Sequence, residues 1–294
     1  MPTIHLWGYN DKPSLISPDS IALFWLINLF NIECTVVFSN NVDLSPNKEL
    51  PVLIKDDGSA ICKFDSIVES LWSRNASLLE RGLFVFTSER LNRLTDYQLY
   101  LNKINYESYT RKVFSHLLYW PMWYNTPLNN RALAKQKCAS IGYIEPDTRD
   151  EQVGPVDEAT KHLARDSKTF QMTQERRQKD KEMLEYTKYN MQYTSQLQEV
   201  LKSLLDARKN IPDQLIPADL LLYANLYVQL ELPDGERIQT FLQHQFPDFM
   251  RSLLETCNKY SHLAVAGNVI LREPTFSESG NLLMTTYNFT RNII

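Results

Sequence analysis

A run of ten residues near the N-terminus constrains the fold more than any other feature of the sequence. Residues 21–30 read Ile-Ala-Leu-Phe-Trp-Leu-Ile-Asn-Leu-Phe. A helix is predicted here because Ser17 can cap free backbone N–H groups, Pro18 suits the first helical position, and Asp19 lies at the positive end of the helix dipole. A helix that is apolar on nearly every side cannot lie on a surface, so we expect this one to be covered on two sides.

Short apolar and β-branched segments surround this helix and are typical of strands. The spacing predicts a strand before the helix and three after it, and a tight turn at Asp56-Asp57-Gly58 joins the last two as a hairpin. An amphipathic helix at residues 67–72 follows the hairpin. The predicted strands are residues 4–7, 35–38, 50–54 and 59–62. We therefore expect one α+β unit over residues 1–75.

The rest of the chain, residues 76–294, is predicted to be an all-helical domain. Apolar residues recur at helical spacing in most of it, but residues 145–165 are polar and rich in helix breakers, which predicts a flexible linker. Mixed charges over 161–181 are typical of a solvated helix face. The predicted helices are residues 89–101, 106–118, 129–141, 197–205 and 217–230.

Composition excludes several classes of function. The formal net charge is -4, so the chain has no global basic field that would recruit nucleic acid. Its 8 glycines are scattered, which excludes the phosphate loops of nucleotide-binding enzymes. The four cysteines form no CxxC pair and the five histidines are isolated, so we predict no metal or cofactor site. No apolar stretch reaches the roughly 18 to 20 residues that cross a bilayer, so no transmembrane span is predicted.

Two segments resemble the glutathione transferases. Leu50-Pro51-Val52-Leu53, with its hairpin and the helix after it, is similar to the core of their thioredoxin-like domain, in which this proline is cis. Residues 217–227, with Ala218-Asp219 in the first turn, resemble the central buried helix of their helical domain, although Ile216 replaces the usual Ser or Thr cap. The resemblance implies a thioredoxin-like domain followed by an all-α domain.

The same resemblance puts enzymatic activity in question. Transferases hold the γ-glutamyl end of glutathione with an acidic residue and a serine at the start of the last helix of the first domain. Lys63 and Phe64 occupy those positions here, or Asp65-Ser66 if the register slips. Tyr9 and Ser14 are the candidates for the hydroxyl that activates the thiol. An active transferase using Tyr9 or Ser14 therefore stays open as the alternative to a protein with no catalytic residue, and a docking module of translation complexes is a third option.

An aromatic segment bracketed by prolines covers residues 119–127. Trp and Met are enriched at binding surfaces, which makes this segment a candidate site for partner proteins. Packing in the core between the two domains is the competing interpretation. The partner-binding candidates are Trp120, Met122, Trp123 and Tyr124.

A closer resemblance covers most of the chain. Seven sequence blocks are similar to the metaxin-like subunits of the mitochondrial sorting and assembly machinery, as found in yeast. They are residues 5–8, 17–23, 37–41, 50–54, 94–99, 119–128 and 224–230. The resemblance implies a non-enzymatic peripheral protein on the cytosolic face of the mitochondrial outer membrane. It also implies as partners a β-barrel channel subunit, a second receptor subunit, a receptor of the general translocase, and β-barrel precursors whose insertion and release it supports.

Overall fold

The structure is a computed structural model, and it describes residues 1–72, 76–143 and 168–280. The strands in these ranges are β1 (Thr3–His5), β2 (Gly8–Tyr9), β3 (Lys12–Pro13), β4 (Cys34–Val37), β5 (Val52–Ile54), β6 (Ala60–Cys62) and β7 (Val269–Arg272). The helices are α1 (Pro18–Leu29), α2 (Phe64–Leu71), α3 (the consecutive segments Leu78–Phe86, Thr87–Leu91, Asn92–Asp96 and Tyr97–Leu101), α4 (Lys103–Asn105, Tyr106–Thr110 and Arg111–Leu117), α5 (Met122–Cys138), α6 (Lys168–Arg208), α7 (Pro217–Glu231), α8 (Gly235–Gln245) and α9 (Pro247–Ser261).

A small mixed sheet forms the N-terminal part, in the order β6-β5-β1-β4-β7. The central strand β1 runs parallel to β4 and antiparallel to β5, so that Ile4 lies opposite both Val36 and Leu53. The hairpin of β5 and β6 closes one edge. With the helical part that follows, this arrangement confirms the predicted α+β, glutathione-transferase-like fold.

One strand departs from the all-helical region expected after residue 75. β7 runs parallel to β4 at the far edge of the sheet, with Val269 opposite Cys34. Two side chains at the end of α1 position the approach, because Asn28 accepts a hydrogen bond from the Ala266 N–H at 2.9 Å and Asn31 accepts one from the Asn268 N–H at 3.2 Å. A four-residue strand whose hydrogen-bonding partner is about 230 residues away leaves little local signal in the sequence.

Helix α1 is buried along most of its length, as its sequence predicts. The Ser17 hydroxyl accepts a hydrogen bond from the Ser20 N–H at 3.2 Å, and Pro18 is the first helical residue. Trp25 is 2% exposed, and its ring lies 5.7 Å from Tyr227 of α7 and 5.4 Å from Tyr260 of α9. Helix α1 belongs by sequence to the N-terminal part, yet much of its covering comes from the helical part.

Helix α7 is buried beside α1. Its first turn is fixed by Asp219, whose carboxylate accepts hydrogen bonds from the Ile216 N–H at 3.2 Å and from the Arg208 Nε at 2.9 Å. Ile216 supplies no oxygen for the reciprocal cap, as the sequence indicates. The guanidinium of Arg208, at the end of α6, adds a partner that local sequence patterns cannot reveal.

The prediction for α5 was wrong at its start. The helix begins at Met122, seven residues before the predicted position, and Pro127 lies inside it. Proline removes one backbone hydrogen bond from a helix interior. Burial of Pro127 and the packing of Met122 and Trp123 against the core offset that loss. A proline in the sequence therefore does not by itself mark the start of this helix.

Helix α6 contains 41 residues and would span about 60 Å if it is straight. It joins residues 168–181 of the predicted charged face and the apolar period at 197–205 into one element, while residues 161–167 lie outside the described residues. Leu197, Leu201 and Leu204 are buried in the core, whereas Met183, Leu184 and Met191 are exposed. The predicted linker at 145–165 lies outside the described residues.

Replacing Trp25 with alanine tests the role of α1. The Trp25→Ala variant should lose about 3–5 kcal/mol of unfolding free energy, because a buried ring between α1, α7 and α9 is deleted. Trp120→Ala is the matched control, since this side chain is 70% exposed and its loss should change stability by about 0.5 kcal/mol or less. Urea denaturation of both variants measures the difference. Equal losses would contradict the packing described here.

Candidate functional site

A polar cleft lies beside Pro51, where the sheet meets the helical part. Its volume is about 610 Å³. The peptide bond between Leu50 and Pro51 is cis, as the transferase resemblance implies. The cleft is lined by residues of the cis-proline loop, of α1 and α2, and of α3 and α5. They include Asp19, Glu49, Leu50, Pro51, Lys63, Phe64, Asp65, Phe84, Glu89, Asn92, Arg93, Asp96 and Lys137.

The start of α2 occupies one wall of this cleft. Helix α2 begins at Phe64, and Lys63 precedes it with φ 70°, a backbone region that non-glycine residues visit infrequently. Phe64 is 3% exposed and its ring stacks on Phe84 of α3 at 5.6 Å. The position expected to hold a serine for glutathione is therefore part of the hydrophobic core, and Lys63 is exposed beside it. Asp65 also lines the cleft, one residue further into the helix.

The two candidate thiol-activating hydroxyls are not among the residues that line the cleft. Tyr9 is 60% exposed on β2. The Ser14 hydroxyl shares a hydrogen bond with the phenol of Tyr109 on α4, and burial raises the pKa of Tyr109 to about 12. If a thiol bound in the cleft, neither the Tyr9 nor the Ser14 hydroxyl would line the cleft wall to stabilise the thiolate.

Two cations of the cleft are paired with neighbouring carboxylates. Arg93 donates to Glu89 at 2.8 Å, and Lys137 on α5 donates to Asp96 on α3 at 3.3 Å. Burial raises the pKa of Asp96, while the charge of Asp96 raises the pKa of Lys137. These pairs neutralise cations that could otherwise hold an anionic ligand such as the carboxylates of a peptide.

Asp19, at the start of α1, connects the cleft to the interior. Its carboxylate accepts a hydrogen bond from the Asn92 side chain at 3.2 Å, and burial raises the pKa of Asp19 to about 6. From Asn92 a chain of side-chain hydrogen bonds crosses the core. Asn225 donates to Asn92 (2.8 Å), Thr95 to Asn225 (2.6 Å), Gln229 to Thr95 (2.7 Å) and Tyr193 to Gln229 (2.6 Å).

The thiols offer little reactivity at neutral pH. Burial raises the pKa of Cys34, Cys138 and Cys257 to about 12 in each case, so these groups remain protonated. Cys62 shares a 3.2 Å hydrogen bond with Ser45. Within the described ranges, no group of three or more His, Cys, Asp or Glu residues is arranged to hold a metal ion.

A second surface lies where α4 meets α5. We name Tyr119, Trp120, Tyr124 and Leu128 the aromatic patch; they are 66%, 70%, 51% and 44% exposed. Of the predicted partner-binding residues, Trp120 and Tyr124 belong to this patch. Met122 and Trp123 are half-buried and pack against the core beneath it. Trp123 meets Tyr124 edge-on at 6.1 Å, which supports the exposed ring from below.

The fold defines a class: a glutathione-transferase-like protein, with Lys63, Phe64 and Asp65 at the start of α2 beside the cleft. The sequence model of the Tom37 family, described as an outer mitochondrial membrane transport complex protein, matches residues 20–131, and the model of the Tom37 C-terminal domain matches residues 145–293. The chain belongs to the Tom37 family. No curated protein sequence shows significant similarity to it. Among the helices that the structure describes, none is both long and apolar enough to cross a bilayer.

The raised pKa of Asp19 predicts that the stability of the folded protein depends on pH. The folded-state pKa of about 6 lies above the ordinary value of 3.8, so the folded protein binds this proton more tightly than the unfolded chain does. Wild-type stability should therefore fall relative to Asp19→Asn as the pH rises from about 4 to about 6, and the difference should then level off. Urea unfolding across this range measures it.

Asp65→Asn controls for the loss of one negative charge from the same cleft. A stability difference between Asp19→Asn and wild type that stays constant across this pH range would show that Asp19 is not held in the environment described.

Proposed function

We propose that the chain is a non-enzymatic subunit of an outer-membrane sorting and assembly complex. In this role it supports the insertion and release of β-barrel precursors, and it couples the complex to the general translocase. Its partners are a β-barrel channel subunit, a second receptor subunit, a translocase receptor and the precursors themselves. It lies peripherally on the cytosolic face of the mitochondrial outer membrane.

One observation carries the non-enzymatic part of this proposal: Phe64 lies in the core at the start of α2, with Lys63 beside it. An ammonium group of glutathione would meet a like charge at Lys63, and its carboxylate would find a phenyl ring in place of a hydroxyl. Removing a charge from water costs several kcal/mol unless a partner pairs with it, and Lys63 and Phe64 supply no such partner at the two expected positions.

The match to the Tom37 family supports the cellular part of the proposal. The description of that family gives a transport complex of the outer mitochondrial membrane. A subunit of this kind needs stable surfaces for partners more than it needs a reactive group. The aromatic patch is the surface that we propose to hold the subunit at the outer membrane.

Import assays test this function directly. The tagged chain should co-purify with the β-barrel subunit from mitochondria, and its deletion should slow the insertion of a radiolabelled β-barrel precursor. Tyr9→Phe and Ser14→Ala should restore the wild-type insertion rate, because neither hydroxyl does chemistry in this proposal.

The active-transferase alternative predicts different results. The protein would be retained on immobilised glutathione and would conjugate an electrophile, with turnover lost in Tyr9→Phe or Ser14→Ala. Observing that pattern, or recovering the tagged chain free of any outer-membrane complex, would refute the proposed function.

A further inference from the structure

The segment that contains α4 and α5 differs in charge from the rest of the protein. Residues 103–143 contain six Lys or Arg residues and a single acidic residue, Glu107, whereas the whole chain has a net charge of -4. No Asp or Glu occurs between residues 108 and 143. The aromatic patch lies within this acid-free segment, whose Lys137 is paired with Asp96 of α3.

Each of the two helices turns one continuous stripe to solvent. On α4 the exposed positions recur as pairs four residues apart, which places them on one face. That face contains Arg111 and Lys112; the helix ends at Leu117, and the exposed Tyr119 and Trp120 follow it. The exposed pairs are 103/104, 107/108, 111/112, 115/116 and 119/120.

Helix α5 has the same pattern with a mixed set of side chains. Its exposed pairs are 124/125, 128/129, 132/133 and 136/137, and Tyr124, Leu128 and Leu133 are their large apolar members. Large apolar groups that remain in solvent along a helix cost free energy unless another surface covers them. The exposed side of this segment thus includes aromatic and aliphatic groups as well as the cations Arg111 and Lys112.

We infer that this surface, which we name the α4–α5 face, docks on the headgroup layer of a bilayer containing anionic phospholipid. Tyr and Trp concentrate at membrane–water interfaces, and interfacial helices combine an apolar stripe with Lys and Arg. The inference rests on the proposed function for the location at a membrane, and it names what the aromatic patch contacts there.

Charge complementarity at this face favours a surface with negative charge, such as an anionic bilayer. Lys and Arg near an anionic lipid surface each strengthen binding to it. Arg111 and Lys112 are both exposed, and Glu107, the single carboxylate of residues 103–143, lies four residues before Arg111 on the same helix, so the segment offers one carboxylate for these two cations. Phosphate headgroups would supply the missing negative charge.

Vesicle flotation with the full chain tests the inference. Vesicles of phosphatidylcholine mixed with phosphatidylserine should bind the protein, and vesicles of phosphatidylcholine alone should bind it much more weakly. Added salt should weaken the binding, because exposed charges are screened. The Trp120→Ser/Tyr124→Ser variant should lose about tenfold or more in binding, and Arg111→Gln/Lys112→Gln about fivefold for each cation removed.

Two control variants separate docking from misfolding. Met191→Ser removes a side chain that is 70% exposed on α6, outside the α4–α5 face, and should bind as wild type does. Trp120→Phe should retain most of the binding. Trp120 fluorescence should shift to the blue when vesicles are added, and this part of the signal should be missing in Trp120→Phe.

The outcomes distinguish lipid from protein at this face. Unchanged vesicle binding in Trp120→Ser/Tyr124→Ser, or no binding to anionic vesicles by the wild type, would overturn the inference. So would a variant that binds vesicles normally but dissociates from the detergent-solubilised complex, since that result assigns the face to a protein partner. If Trp120→Ser/Tyr124→Ser stays in the complex but no longer binds vesicles, the inference holds. If the wild-type chain binds vesicles but joins no complex, only the proposed function fails.

Discussion

The burial of α1 between the sheet and the helical part is the interaction on which the rest of the structure depends. Residues 20–28 of this helix are buried without interruption, as expected for a helix that has no polar side of its own. Phe24 lies 6.0 Å from Phe38 beside β4, while the neighbouring Trp25 meets Tyr227 of α7. Because α1 is shared in this way, neither part can bury its own apolar surface alone, and we expect the two to fold as one body.

The same helix determines what the cleft can do. Asp19 reaches the cleft from the first turn of α1, and its hydrogen bond to Asn92 joins the cleft to a polar network through the core. In a transferase this region would be kept open for a peptide. Here Phe64 stacks into the core and the Lys137–Asp96 pair spans α5 and α3. The Phe64–Phe84 stack stabilises the contact between the sheet and the helical part, and the Lys137–Asp96 pair stabilises the helical part itself.

Local sequence patterns predict the elements whose own residues supply the capping, turn or apolar pattern. The cap at Ser17, the turn at residues 56–58 and the apolar run of α7 each specify their own structure, and the structure has them. The sequence does not predict β7, because this strand is stabilised by pairing with β4, far away in the chain. It also does not predict the start of α5, because Pro127 breaks the local helix signal and the packing that offsets it comes from the rest of the fold. At the site, the replacement at Lys63 and Phe64 was visible in the sequence. The pairing of Asp96 with Lys137, 41 residues apart in sequence, and the exposed positions along α4 and α5 became visible only in the folded structure.

The claim that α1 makes one body of the sheet and the helices is tested most directly by native-state hydrogen exchange. Amides in α1, α7 and β5 should exchange only through global unfolding, each with a free energy equal to that from urea denaturation. The account would be contradicted if the amides of α1 and β5 exchange through a lower-energy opening while those of α7 stay protected. That result would mean that the sheet detaches from the helical part and that α1 does not bind them together.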